Sequence, residues 1–154
     1  MQKFIMYALA VVALSGCAAT YETPRSLAQN ATGTYSASQP DALKAARRAL
    51  VNSGYQITAA DDSSGTISTA PRDLRLSPAQ ADCGTTLGLD YLRDNRTATT
   101  VAFGVIIDPG KITVQSTIQG NYRPGAVDQD ITLSCVSRGS LEAEMLDKIK
   151  AQLP

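Results

Sequence analysis

Residues 97–119 read TATTVAFGVIIDPGKITVQSTIQ, and the fold turns on them. Val101, Phe103, Val105 and Ile107 recur at every second position, the spacing of an extended strand whose successive side chains point to opposite faces. Asp108-Pro109-Gly110-Lys111 interrupts the run with a turn, because proline presets one turn dihedral and glycine tolerates the next. The same period then resumes. Ile112, Val114 and Ile118 fall on one side, and Thr113, Gln115, Thr117 and Gln119 fall on the other. Two strands joined so tightly are antiparallel. One face of the pair needs an apolar cover, while the other can stand in water.

Upstream, Ser38 precedes Gln39-Pro40-Asp41, a capping residue followed by Pro and Asp in a first turn. This predicts a helix to about Asn52, closed by Gly54, with Leu43, Ala46, Leu50 and Val51 as its apolar stripe. Thr34 to Ser36 is expected as a short strand before it. Tyr55 to Ala59 and Thr66 to Ala70 alternate on either side of Asp61-Asp62-Ser63-Ser64-Gly65, which reads as a hairpin. Leu87, Leu89 and Tyr91 alternate as a further strand. Beyond a loop containing Pro124-Gly125, Ile131, Leu133 and Cys135 share a face of the last strand. Ser140 is read as the cap of a C-terminal helix carrying Leu141, Met145, Ile149 and Leu153 at intervals of four. The expectation is an α+β two-layer sandwich over residues 34–154, one domain with two helices packed on one face of a twisted antiparallel β-sheet.

The N-terminus has a different character. Phe4 to Leu14 (FIMYALAVVAL) is an uninterrupted apolar run behind a single Lys3. In a helix it reaches only about half of a ~30 Å hydrocarbon core, so it has the length of a signal-peptide core and not of a membrane span. Leu14-Ser15-Gly16-Cys17 follows, then Ala18-Ala19-Thr20. This resembles the lipobox of bacterial lipoproteins. The resemblance implies a signal peptide over 1–16, cleavage between Gly16 and Cys17, a diacylglycerol on the Cys17 sulfur, and acylation of the new amine. Several acyl chains together give stable anchoring where one would not. Ala18 after the cysteine implies an outer-membrane address, since aspartate there means inner-membrane retention in lipoproteins of the enterobacterial type. The domain is then expected in the periplasm. Residues 17–33, small and polar after the cysteine, read as a flexible tether.

Composition narrows the function. The chain of 154 residues has 14 basic and 14 acidic side chains, no His and no Trp. No basic field exists to attract nucleic acid. Without His the usual near-neutral proton shuttle and the commonest metal ligand are gone. Apart from Cys17, only Cys83 and Cys135 remain. In an oxidising compartment they make one disulfide, closing a loop of about 50 residues. The alternative, a redox pair, would ordinarily sit in a CxxC motif, which neither residue does. No metal site, cofactor site or catalytic residue set is read from the chain.

Residues Ala42-Leu43, Ala49-Leu50, Gly54-Tyr55-Gln56-Ile57, Asp61-Asp62 and Gly65-Thr66-Ile67 together resemble the opening of the helix-grip-like modules of BamC and other small envelope lipoproteins. That resemblance implies an envelope setting and a similar fold. Among candidate sites, Asp61 and Asp62 read as turn residues whose carboxylates bond nearby backbone N–H groups. Asp90, Tyr91, Arg93, Asp94 and Arg96 form a mixed-sign cluster, which an enzyme would need to gather in a deep pocket. The outward sheet side is expected to carry Gln56, Thr58, Thr66, Ser68, Thr113, Gln115, Thr117, Gln119, Thr132 and Ser134. This face is polar and nearly free of charge, and its hydroxyls and amides can bond glycans or peptide backbones. The expected function is a non-enzymatic binding or accessory subunit of an envelope protein complex, anchored at the outer membrane. The alternative is a module that binds cell-wall glycan through the face bearing Thr113, Gln115, Thr117 and Gln119.

Overall fold

In a computed structural model describing residues 21–25, 29–125 and 130–154, the chain begins with β1 (Tyr21–Glu22), β2 (Ala31–Thr34) and α1 (Gln39–Asn52). It continues through β3 (Ile57–Asp61), β4 (Thr66–Thr69), β5 (Arg72–Asp73), β6 (Ala81–Asp82), β7 (Thr85–Thr86) and β8 (Leu89–Asp90). After a 3-10 turn (Tyr91–Arg93) come β9 (Thr97–Asp108), β10 (Lys111–Tyr122), β11 (Ile131–Ser137) and α2 (Ser140–Lys150). The signal peptide 1–16, the cleavage point at Gly16 and the lipidation site Cys17 lie outside the described residues.

β9 and β10 form one long antiparallel hairpin, in register from Asp108↔Lys111 to Thr97↔Tyr122. β10 is the hub. Its second edge is shared by β2 near the turn and β11 at the other end, while β4 and β5 share the outer edge of β9. All these pairings are antiparallel. Val101, Phe103, Val105, Ile107, Ile112, Val114 and Ile118 are buried beneath the two helices, each contributing on the order of 1.5–3 kcal/mol by leaving water. The fold is therefore an α+β two-layer sandwich, with α1 and α2 on one face of the sheet.

α1 starts as its sequence predicts: Ser38 accepts the Asp41 backbone N–H at 3.3 Å. Its buried stripe is Ala42, Leu43, Ala45, Ala46, Ala49 and Leu50; Val51, expected in that stripe, is exposed. Position 51 is a further 100° round the helix from Leu50, on the side opposite the Ala42–Ala46–Ala49 centre of the stripe, and so faces water. α2 also differs at its start. Gly139, in a left-handed conformation, holds the capping position, and Ser140 makes no capping bond. Instead the Ser137 hydroxyl accepts the Gly139 N–H and donates to Glu142, whose other oxygen takes the Ser116 hydroxyl. Glu142 is fully buried against the sheet, and these two bonds are what permit it. Gly65 has φ +68°, and a Cβ there would stand 2.3 Å from the Ile107 carbonyl oxygen, so only glycine closes the β3–β4 hairpin against β9.

Two expectations are corrected. Leu87, Leu89 and Tyr91 do not share a strand. Leu87-Gly88 is the two-residue turn between β7 and β8, Leu89 is exposed, and Tyr91 begins the 3-10 turn. Positive φ at Leu87 and Gly88 reverses the chain after one pair of residues, so the apparent alternation spans a turn. Second, residues 21–22 and 31–33, expected within the flexible tether 17–33, form strands. β1 pairs with β7, and β2 pairs with β10 in place of the expected strand at 34–36. Their polar sequences carry no pattern of their own, and backbone bonds to a waiting edge hold them.

β1, β7 and β8 make a small separate sheet. Its base is tied to the main sheet by the Cys83–Cys135 disulfide, with Cα atoms 4.1 Å apart. A ring series crosses the same junction: Tyr21 to Tyr91 at 6.0 Å, then Tyr91 to Tyr122 at 5.0 Å.

Candidate binding face and the lipid-attachment end

The helices cover one side of the sheet and leave the other open. On β10, Gln115, Thr117 and Gln119 are exposed and Thr113 is half-buried. The four stand on one face about 6.8 Å apart along the strand. Register adds their neighbours. Thr113 lies between Thr32 and Ile106, Gln115 beside Gly104 with Ser68 on that glycine's other side, Thr117 beside Ala102, and Gln119 between Thr100 and Ser134. Asn121 lies between Ala98 and Thr132, and its shielded Oδ1 has no hydrogen-bond partner among the described residues. The Gln115 side chain lies over Gly104, where a Cβ would come 3.0 Å from its Nε2. The surface is broad, built of hydroxyls and amides over Ala and Gly. It can meet an extended backbone or a polar polymer without desolvating charge.

The sequence placed Thr66, Ser68, Thr113, Gln115, Thr117, Gln119, Thr132 and Ser134 on this side, and the registers put their strands side by side there. Thr58 does not join the row. A bulge between Ile57 and Ala59 sets Ala59 opposite Ser68, and the Thr58 hydroxyl bonds the Ser68 carbonyl from the strand edge at 3.2 Å. A register shift of one residue exchanges faces, and the alternation alone does not reveal where it happens.

Other sequence candidates take local roles. Asp61 accepts the Ser63 N–H at 2.8 Å, the Ser63 hydroxyl at 2.6 Å and the Ser64 N–H at 3.3 Å, which lowers its pKa to about 2. Asp62 pairs with Arg47. Asp94 is lowered to about 2 by hydrogen bonds from the Arg96 side chain and backbone, and the Arg96 guanidinium stacks 5.1 Å from the Tyr122 ring centre. The Asp90–Arg93 cluster does not converge with Tyr91. Leu89, Asp90, Arg93, Asp94 and Asn95 line an open cleft, while Tyr91 turns into the core.

One concavity has no counterpart in the sequence reading. A cleft of about 340 Å³ between α2 and the β5 edge is lined by Tyr55, Arg72, Phe103, Glu144 and Lys148, among others. Arg72 stacks 5.3 Å from the Tyr55 ring centre and bonds the Ser53 carbonyl. Burial pushes the Tyr55 hydroxyl up from its usual value, with Arg72 opposing. Residues 53–55, 72 and 144–148 are separated along the chain, so no local motif announces them.

Among the described residues no helix is long and apolar enough to cross a membrane. Residues 1–18 match the family model for the prokaryotic membrane lipoprotein lipid attachment site. The match supports a bacterial lipoprotein. It supports anchoring to a membrane through lipid attached in this N-terminal stretch. No curated protein matches the lipoprotein's chain. The likeness of residues 42–67 to BamC-like modules gains no support from these comparisons.

Proposed function

We propose that this lipoprotein is a non-enzymatic binding or accessory subunit of the cell envelope, held at the outer membrane with its domain in the periplasm. The observation that supports this most is the open face around Thr113, Gln115, Thr117 and Gln119, a wide uncharged surface that neither helix covers. Its chemistry suits a protein segment laid across the strands. The registered neighbours of Thr113, Gln115, Thr117 and Gln119 include no aromatic ring for a sugar to stack on. A protein partner is therefore favoured over the cell-wall glycan alternative. Ala18 after the lipidated cysteine supports the outer-membrane address.

The test is in-cell crosslinking of the lipidated chain, followed by purification in gentle detergent and mass spectrometry, beside a chain with Thr113, Gln115, Thr117 and Gln119 all changed to Lys. Recovery of one envelope complex by the native chain and its loss in the variant is the expected result. Equal recovery by both would remove the face from the function. Sedimentation of the soluble domain with purified peptidoglycan separates the glycan reading, for which pelleting is required.

A further inference from the structure

Five large apolar side chains stand exposed among the described residues: Tyr21, Val51, Leu87, Leu89 and Ile131. Val51 is alone on the outer side of α1. The other four gather at one end of the molecule. Tyr21 and Leu89 belong to the three-stranded sheet, Leu87 sits in its hairpin turn, and Ile131 is in register with Tyr122, whose ring packs on Tyr91. Leu87 and Leu89 are 73% and 71% exposed, on either side of Gly88 at the hairpin tip. Leu87 also has φ +50°, and it is the one non-glycine residue with positive φ among those described. A branched apolar side chain gains nothing in water there, and the backbone conformation favours Asn, Asp or Gly. A residue that is poor both for its turn and for its solvent points to a contact beyond the folded domain.

The chain itself states where that contact lies. Tyr21 pairs with Thr86 and Glu22 with Thr85, so β1 runs from the tip of the hairpin toward its base. The first residue of β1, Tyr21, therefore stands at the tip side. Three residues lie between Cys17 and Tyr21, so four steps of chain give a reach of at most about 14 Å. Gly84 holds β1 close: its φ is +82°, and a Cβ would stand 2.1 Å from the Glu22 carbonyl oxygen. The Cys83–Cys135 disulfide fixes the hairpin base to the main sheet. The opposite end, at Pro109-Gly110, is about 36 Å away along β9.

Resting on lipid attachment at Cys17, we propose that the Leu87-Gly88-Leu89 tip enters the interface of the same bilayer that holds the acyl chains. It forms a second, protein-built contact that orients the domain. The charges nearby are of both signs, Glu22 with Arg25 and Asp82 with Arg138, so the contact is apolar in origin and is insensitive to salt. With this end on the membrane, the β9–β10 strands carry the open polar face away from the lipid.

The chain lacks Trp, so a Leu87→Trp variant carries a single reporter, and Lys111→Trp provides the same reporter at the far end. Both are prepared as full-length lipidated protein in phosphatidylethanolamine–phosphatidylglycerol vesicles with brominated acyl chains, their lipidation checked by intact mass. Trp at 87 is expected to emit at shorter wavelength and to be quenched by the bromolipid, at low and high salt alike, while Trp at 111 is unaffected. Since Trp itself favours interfaces, amide exchange of residues 84–90 in the native chain is compared on and off vesicles, and slower exchange on vesicles is expected. Water-like emission at 87 in a chain of lipidated mass would overturn the proposal. So would blue-shifted emission that bromolipid leaves unquenched and that follows protein concentration, since the tip would then cover a second copy. A chain that lacks the lipid mass refutes the anchored reading itself, and the proposal with it.

Discussion

Glu142 has the most exacting position of any single residue in the domain. It is buried at the start of α2 with Ser116 and Ser137 as its hydrogen-bond donors. Glu142→Ala strands both hydroxyls in the interior, at a cost of about 1–3 kcal/mol for each group left unsatisfied. Denaturant unfolding should show a clear drop in the midpoint, with a smaller drop for Glu142→Gln, which retains the acceptor oxygen. Two surface carboxylates make stability fall in acid. Asp61 and Asp94 are each lowered to about 2 in the folded chain. Their charged forms favour the fold, so their contribution is complete above the ordinary carboxylate range near pH 4 and is lost as pH falls toward 2. Thermal unfolding followed from pH 5 to pH 2 should show this loss, and Asp61→Asn with Asp94→Asn should flatten the curve.

Among the elements, β9 and β10 were legible because every second residue from Val101 to Ile107 and from Ile112 to Val114 is both apolar and buried. α1 was legible from Ser38 and Pro40. β1 and β2 were not, since strands of two and four residues with polar sequences exist only by virtue of their partners. The Leu87–Tyr91 misreading has the opposite cause: an alternation present in the sequence is folded over a turn. Glu142 escaped notice because a charged residue in a helix ordinarily faces water, and only the tertiary meeting of Ser116 with Ser137 makes its burial tolerable. The candidate face on β10 could be read directly, whereas its flanks depend on the bulge at residues 57–59. The disulfide is the element-scale lever. It closes a sequence separation of 52 residues, so Cys83→Ser with Cys135→Ser should cost about 4 kcal/mol. A guanidinium titration measures it, and reducing agent should lower the native chain to the same midpoint.

For the molecule as a whole, the match of residues 1–18 to a lipid attachment site makes location testable at Cys17. Cys17→Ser should move the protein from the membrane fraction to the soluble fraction without changing its unfolding midpoint, because no described contact depends on the lipid. Fractionation with a melting curve on the released protein checks both halves of that statement. A lowered midpoint would mean that the anchor also stabilises the domain.

The hub position of β10 has a consequence for the order of events in folding. β2 precedes Lys111–Val114, the segment that completes its ladder, by more than half the chain. β1 likewise precedes its partner Thr85–Thr86. Pairings across such sequence separations close slowly and only after the later segment is present. β1 and β2, the first strands in the chain, are thus among the last to be paired, and they stay unladdered until the hairpins that receive them exist.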